Sequence, residues 1–143
     1  MPVIIGIDYG LRRIGIAVSD PDGRLALAVG VHVEGRDGSV LARLRDLAAE
    51  REATAVVVGL PLTADGRESD LSIRARRFAD RVAEDLGLPV TMVDERYTSQ
   101  EAERWIAMRG RPARRGEVDD VAAQIILQSH LDRLEAQARR DGA

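Results

Sequence analysis

A chain of 143 residues is long enough for one domain with a substantial core and short for two. Its 45% hydrophobic and 31% charged residues are those of an ordinary soluble globule, and with aromatics at 3% the core must rest on Val, Ile, Leu and Ala. The absence of cysteine removes disulfides, thiolate zinc sites and cysteine catalysis together, and a net charge of −3 argues against a surface that is basic throughout.

In chain order, "VIIGIDYG" and "RIGIAVSD" are β-branched runs joined by a short glycine-containing link, which reads as a hairpin. "DPDG" at 20–23 is a turn in which Pro21 presets φ and Gly23 supplies positive φ, and it leads into a third strand, "RLALAVGVHV". The period then changes. From Ser39 to Glu50, Val40, Leu41, Leu44, Leu47 and Ala48 recur at helical spacing. "ATAVVVGLP" is a continuously apolar strand of the kind found in buried parallel positions. Residues 69–86 return to helix, with Ala75, Phe78, Ala79, Val82 and Leu86 on one stripe and Gly87 and Pro89 ending it. "PVTMVDER" is a fifth strand, and Thr98 with Glu101 forms a candidate capping box for a helix to Met108. "EVDDVAAQIILQSHLDRLEAQARR" closes the chain as a long helix, with 139–143 expected to fray behind a single domain over 1–138. The order β-β-β-α-β-α-β-α-α predicts a five-stranded mixed sheet, an antiparallel meander followed by parallel strands, with helices on both faces. With a strand-like "VIIGI" at the start and no apolar run near ~18 residues, the expected setting is cytoplasmic, away from membranes.

Three carboxylates stand out. Asp8 interrupts the first strand, although burying an unpaired carboxylate costs several kcal/mol. Glu95 ends the fifth strand, and Asp119 falls in the first turn of the last helix, beside Asp120. Ligands of α/β sheets gather at the carboxyl ends of strands, where a helix packed across that end would bring a third acid to two strand-borne ones. Oxygen-only ligation of this kind suits Mg²⁺ or Mn²⁺, and such ions can clamp a phosphodiester while lowering the pKa of an attacking water. Each acid alone also has a plainer reading. Asp8 can accept backbone N–H bonds, Glu95 can be a solvated turn residue, and Asp119 or Asp120 can cap the helix or complement its dipole.

Charge distribution adds a second clue. The chain contains no lysine, and "MRGRPARRG" carries Arg109, Arg111, Arg114 and Arg115 without an acid among them. Gly110, Pro112 and Gly116 break helix there, so the segment reads as a loop able to gather phosphates, or as a merely solvated one. Arg12 and Arg13, in the first hairpin, are further phosphate-binding candidates.

"GIDYGLRRIGIAVSD", "VVVGLPLTADG", "DERYTSQEAE" and "VDDVAAQIILQSHL", in this order over nearly the whole chain, resemble the YqgF/RuvX family of RNase H-like nucleases, also described as Holliday junction resolvase-like proteins and pre-16S rRNA nucleases. The resemblance implies an RNase H-like fold and a nuclease whose metal-binding, catalytic acids are Asp8, Glu95 and Asp119, the last preferred over Asp120 because the family's acid follows the residue matching Val118. It implies nucleic acid as partner, with RNA and the 5′ end of the 16S rRNA precursor as the leading substrate. Four-way DNA junctions are the rival, and a non-catalytic nucleic-acid-binding factor is a reading from another class. A junction resolvase would act as a symmetric homodimer; a monomer suffices for the others. Family members often carry lysine at the positions of Arg12 and the loop before the last helix, and arginine there keeps the charge but replaces a point contact with a planar fork.

The remaining residues have mainly structural expectations. Gly10 permits the hairpin, and Gly59, Pro61 and Gly66 shape the loop after the fourth strand or line a groove. Ala122 and Ala123 keep the last helix thin where it meets the sheet, Trp105 packs on its own helix, and His32 and His130 lack partners at metal-ligand spacing.

Overall fold

The computed structural model describes residues 2–96 and 117–142, the latter by backbone alone over 117–120. Three strands form first: β1 (Val3–Asp8), β2 (Arg13–Ser19) and β3 (Ala26–Val33). Then come α1 (Val40–Arg51), β4 (Ala53–Leu60), α2 (Asp70–Leu86), β5 (Val90–Asp94) and α3 (Glu117–Gly142). The expected helix from Thr98 to Met108, with Glu101 and Trp105, and the loop carrying Arg109, Arg111, Arg114 and Arg115 lie outside the described residues.

The sheet has the order β3-β2-β1-β4-β5. β1 pairs antiparallel with β2 (Ile7 opposite Ile16, Asp8 opposite Gly15) and parallel with β4 (Ile7 beside Val58). β4 pairs parallel with β5, Gly59 beside Val93. The meander-then-parallel architecture thus matches the sequence expectation, with β1 central. β5 ends at Asp94 rather than Arg96, so Glu95 is the first residue beyond the strand.

Alternation of side chains divides the core in two. Ile5, Ile7, Val56 and Val58 face α1 and α2, where Leu44, Leu47, Phe78 and Val82 cover them. Ile4, Ala17, Val57 and Val93 face α3, which contributes Ala123, Ile126, Leu127 and Leu131. Each fully buried branched side chain removes enough apolar surface to stabilise the fold by about 1.5–3 kcal/mol.

Local signals set the helix ends. Ser39 caps α1 by accepting a hydrogen bond from the Ala42 amide (3.4 Å), and Ser69 and Ser72 form a reciprocal capping box at α2. Gly87 ends α2 in the left-handed conformation (φ 68°), as its position before Pro89 suggested. α3 continues through the segment expected to fray, carried by exposed side-chain pairs four residues apart, Arg139 with Glu135 (2.7 Å) and Gln137 with Asp141 (3.4 Å). Its start is anchored to the sheet edge by two glutamines. Gln124 Nε2 donates to the Ala26 carbonyl (2.9 Å), and Gln128 Oε1 accepts from the Ala26 amide (2.9 Å).

Candidate active site

β1, β4 and β5 present their carboxyl ends on one side of the sheet, and the face covered by α3 changes character toward that end. Along β1 it reads Ile4, Gly6, Asp8; along β4, Val57, Gly59; from β5 onward, Val93, Glu95. Large residues give way to glycine and then to acid.

Gly6 is glycine because α3 lies against it. A Cβ there would stand 2.7 Å from Leu127 Cβ and 3.3 Å from the Ala123 carbonyl oxygen. The expectation that Ala123 is small for close approach holds, with Gly6 supplying the other half of the contact. Ala122, the second small residue of that pair, is also buried.

Gly59 is glycine for a different reason. A Cβ there would occupy the space of the Glu95 carboxylate and would lie 2.5 Å from Ile126 Cδ1. Gly59 is thus the seat of the Glu95 side chain, a role more specific than the loop or groove expected of it. The Glu95 backbone is tied down as well, its amide donating to the Leu60 carbonyl (3.2 Å).

Seated there, Glu95 meets Asp8, and their carboxyl groups share a hydrogen bond. Burial foremost, then the Asp8 charge, the hydrogen bond to Asp8 and the charge of Asp94 push the Glu95 carboxyl up to about 8. A positive ion in place of the shared proton would relieve both the burial and the repulsion of the two carboxylates. Asp94 acts on this pair through its charge alone. Its carboxylate is gripped by Arg96 (Nη2 at 2.7 Å, Nε at 2.8 Å, backbone amide at 3.1 Å), which holds it below the usual carboxylate range.

The register of α3 bears on the third acid. Leu131 shares a cluster with Ile4, and Leu127 and Ala123 meet Gly6, so the helix runs antiparallel to β1. Four helical residues advance about 6 Å and two strand residues about 6.6 Å, so the two rows stay in step. The row 131–127–123 continues to position 119, one turn nearer the start of the helix and on the side that faces β1. Position 120 belongs instead to the row of Gln124 and Gln128, which meets the β3 edge. The side chains of Asp119 and Asp120 lie outside the described residues, and among the described residues no three His, Asp or Glu side chains gather to hold a metal.

The other candidates spread around this end. Gly10 lies in the β1–β2 hairpin, where a Cβ would come 2.5 Å from the Arg13 carbonyl oxygen. Arg12 and Arg13 are exposed on the same hairpin, with the Arg12 carbonyl accepting from the Glu34 amide (2.8 Å). The Pro61 carbonyl accepts from Ser69 Oγ (2.8 Å), and Gly66 (φ 85°) closes a turn on Thr63, so both residues shape the loop leading to α2. His32 is buried and structural, with Nε2 2.9 Å from the Gly38 carbonyl oxygen, and half-buried His130 has its pKa lowered by burial and by Arg133.

A central antiparallel hairpin extended by parallel strands, with acids on β1 and after β5 and a helix crossing their face, defines an RNase H-like fold with a carboxylate site at the strand ends. The profile of the RuvX family, described as Holliday junction resolvase, matches residues 2–133. The chain belongs to the RuvX family. Relatives named "Putative pre-16S rRNA nuclease" include one from Anaeromyxobacter dehalogenans, 46% identical over 131 residues (90% of this chain, 96% of the relative). Another, from Chloroflexus aggregans, is 42% identical over 131 residues (90% and 92%). Among solved structures, RuvC of T. thermophilus in complex with a Holliday junction substrate superposes with a TM-score of 0.61 at 18% identity (94% of this chain, 97% of that chain), which shows a shared fold.

Proposed function

We propose that this protein is a divalent-metal-dependent nuclease that hydrolyses phosphodiester bonds, with Asp8, Glu95 and Asp119 as its metal-binding and catalytic acids and Mg²⁺ or Mn²⁺ as the metal. The observation that carries the reading is the proton-sharing pair of Asp8 and Glu95, built on a glycine seat at the carboxyl ends of the strands. The donor set is all oxygen and rich in charge, as these hard cations require. A bound divalent cation supplies Lewis acidity, lowering the pKa of a water and offsetting charge that develops on the phosphate. The protein's own residues orient the reaction. Gly59 fixes Glu95 toward Asp8, Gly6 lets α3 pack closely on the face that carries both acids so that Asp119 can join them from its first turn, and Arg12, Arg13, Arg111, Arg114 and Arg115 hold the substrate's phosphates.

The substrate we assign is RNA, specifically the 5′ region of the 16S rRNA precursor in the cytoplasm. The names of relatives at 41–46% identity support this choice. One comparison tests activity and substrate together. Wild type and Asp8→Asn are offered single-stranded RNA, an rRNA-precursor fragment and a four-way DNA junction, each with Mn²⁺, Mg²⁺ or EDTA. Metal-dependent cutting of the RNAs by wild type alone is expected. Cuts confined to the junction would transfer the site to resolvase work by a homodimer, and binding without cutting would leave a nucleic-acid-binding factor.

A further inference from the structure

On the other face of the sheet, one residue from Asp8, lies a cavity of about 250 Å³. Tyr9, Phe78 and Leu41 contribute apolar wall, while Glu34, Ser39 and Arg81 contribute polar groups. Tyr9 and Phe78 are the two aromatic side chains among the described residues, and both line this one space, their rings 4.7 Å apart between centroids and tilted by 31°. In a chain with 3% aromatics, that pairing beside the candidate active site calls for a cause.

Ser39 is spent as the cap of α1, but other polar groups around the cavity are free. Among the described residues, neither the Tyr9 hydroxyl nor the Arg81 guanidinium has a hydrogen-bond or ion-pair partner. Arg81 contrasts with Arg76 on the same helix, which is locked to Glu68 at 2.7 Å. Glu34 uses Oε1 to accept from the Val40 amide (3.0 Å) and faces His32 Nε2 at 3.4 Å, leaving Oε2 without a hydrogen bond. The rim carries Leu11, a leucine 59% exposed at the tip of the hairpin between Asp8 and Arg12. At this volume the cavity falls below the ~300–1,000 Å³ typical of drug-sized ligands, which suits a single flat ring system.

We propose that this cavity receives one nucleobase of the strand held at Asp8. The base packs against the Tyr9–Phe78 wall with Leu11 over its edge, and Arg81 pairs with the phosphate of the same nucleotide. Stacking of splayed bases on aromatic side chains is the usual route by which proteins grip single strands. The Oε2 atom of Glu34 favours a base that offers an amino group. Because side chains alternate, Asp8 faces α3 and Tyr9 faces α2. A strand passing over the end of β1 therefore meets the acids on one side of the hairpin and the cavity on the other. The inference rests on the nuclease reading above and adds a base-holding subsite to it.

The test is an abasic scan of a cleavable single-stranded RNA. One nucleotide at a time loses its base, and kcat/KM is measured for wild type, Arg81→Ala and, as a neighbour not lining the cavity, Arg77→Ala. Wild type and Arg77→Ala should show a penalty of about 5- to 100-fold at one fixed position relative to the cut. Arg81→Ala should bind more weakly overall and flatten that position-specific penalty, with its thermal unfolding unchanged. A wild-type enzyme that cuts normally but shows no favoured position overturns the subsite and leaves the nuclease reading standing. An Arg81→Ala profile with the wild-type penalty intact does the same. A wild type that neither binds nor cuts any strand overturns both.

Discussion

The two faces of the sheet solve opposite problems. Toward α1 and α2, side chains stay large to the ends of the strands: Ile5 and Ile7 along β1 with Tyr9 just beyond it, and Val56, Val58 and Leu60 along β4. Toward α3 they shrink and then become acidic, through Ile4, Gly6 and Asp8 and through Val57 and Gly59 to the seated Glu95. One face buries area for stability. The other gives up side-chain volume at two glycines so that a helix and a carboxylate can come close, and the acids' mutual repulsion is the cost of having them there. Replacements that probe chemistry should therefore act on the α3 face, and replacements that probe stability on its opposite.

The sharpest form of this contrast lies within one turn of α3. Asp119 continues the row that meets Gly6, whereas Asp120 continues the glutamine row at the β3 edge. Asp119→Asn should lower cleavage by a hundred- to a thousand-fold, the scale for losing one preorganised electrostatic group. Asp120→Asn should stay within a few-fold of wild type. Single-turnover rates of the two variants decide it, and equal losses would break the register argument.

The next pair sets the faces against each other. Ile7→Ala removes a fully buried side chain beneath α1 and α2 and should cost about 2–5 kcal/mol of stability, with cleavage per folded molecule close to wild type. Gly59→Ala drives a methyl into Glu95 and Ile126. It should cost less stability, about 1–3 kcal/mol, yet lower cleavage by roughly 10- to 100-fold by unseating the carboxylate proposed to bind metal. Denaturant titration and kinetics on the same preparations measure both. A Gly59→Ala enzyme at full speed would mean that Glu95 does not need its seat.

Much of this contrast was legible in the sequence. The described strands and helices follow from the switch between periods of two and of helical spacing, and Gly87 marks the end of α2 as a residue that adopts positive φ, whereas the capping roles of Ser39 and Ser69 emerge only in the fold. Asp8 and Glu95 drew notice as acids in or beside apolar runs. The role of Gly59 was not legible, because it depends on the register that sets β4 beside β5 and brings a side chain from beyond one strand onto the backbone of another. Nor was the cavity. Tyr9 and Phe78 come from a hairpin and from α2, and only the packing of that helix on the sheet joins them. Asp119 was preferred over Asp120 on the family resemblance alone, and no local pattern contains the contacts of Ala123 and the two glutamines that put positions 119 and 120 in different rows of α3.

Proton uptake gives a third, smaller effect. In metal-free protein the Glu95 carboxyl stands at about 8, against 4.5 ordinarily, so the folded chain holds a proton that the unfolded chain releases. That contribution to stability is fully present below about 4.5 and is lost as pH rises through about 8. In EDTA, wild type should therefore lose several degrees of Tm relative to Glu95→Gln across this interval. Excess Mg²⁺ or Mn²⁺ should restore the wild type at high pH and leave Glu95→Gln little changed. Parallel pH profiles for the two proteins would show that burial and Asp8 do not raise the Glu95 carboxyl.

The smallest effect comes from the packing side. α1 ends at Glu52, which sits at φ 54°, the one positive-φ residue among those described that is not glycine. Its amide reaches back to the Ala48 and Ala49 carbonyls, so the left-handed turn is needed to pass from helix directly into β4. A side chain in that conformation costs roughly 1–2 kcal/mol, and glycine would remove this strain while adding entropy to the unfolded chain. Glu52→Gly should thus stabilise the protein by a net ~0.5–1 kcal/mol in denaturant titration and leave cleavage rates untouched. If it changed the rate instead, the α1–β4 junction would be coupled to the acids across the sheet, and the separation of the two faces would fail at its least conspicuous point.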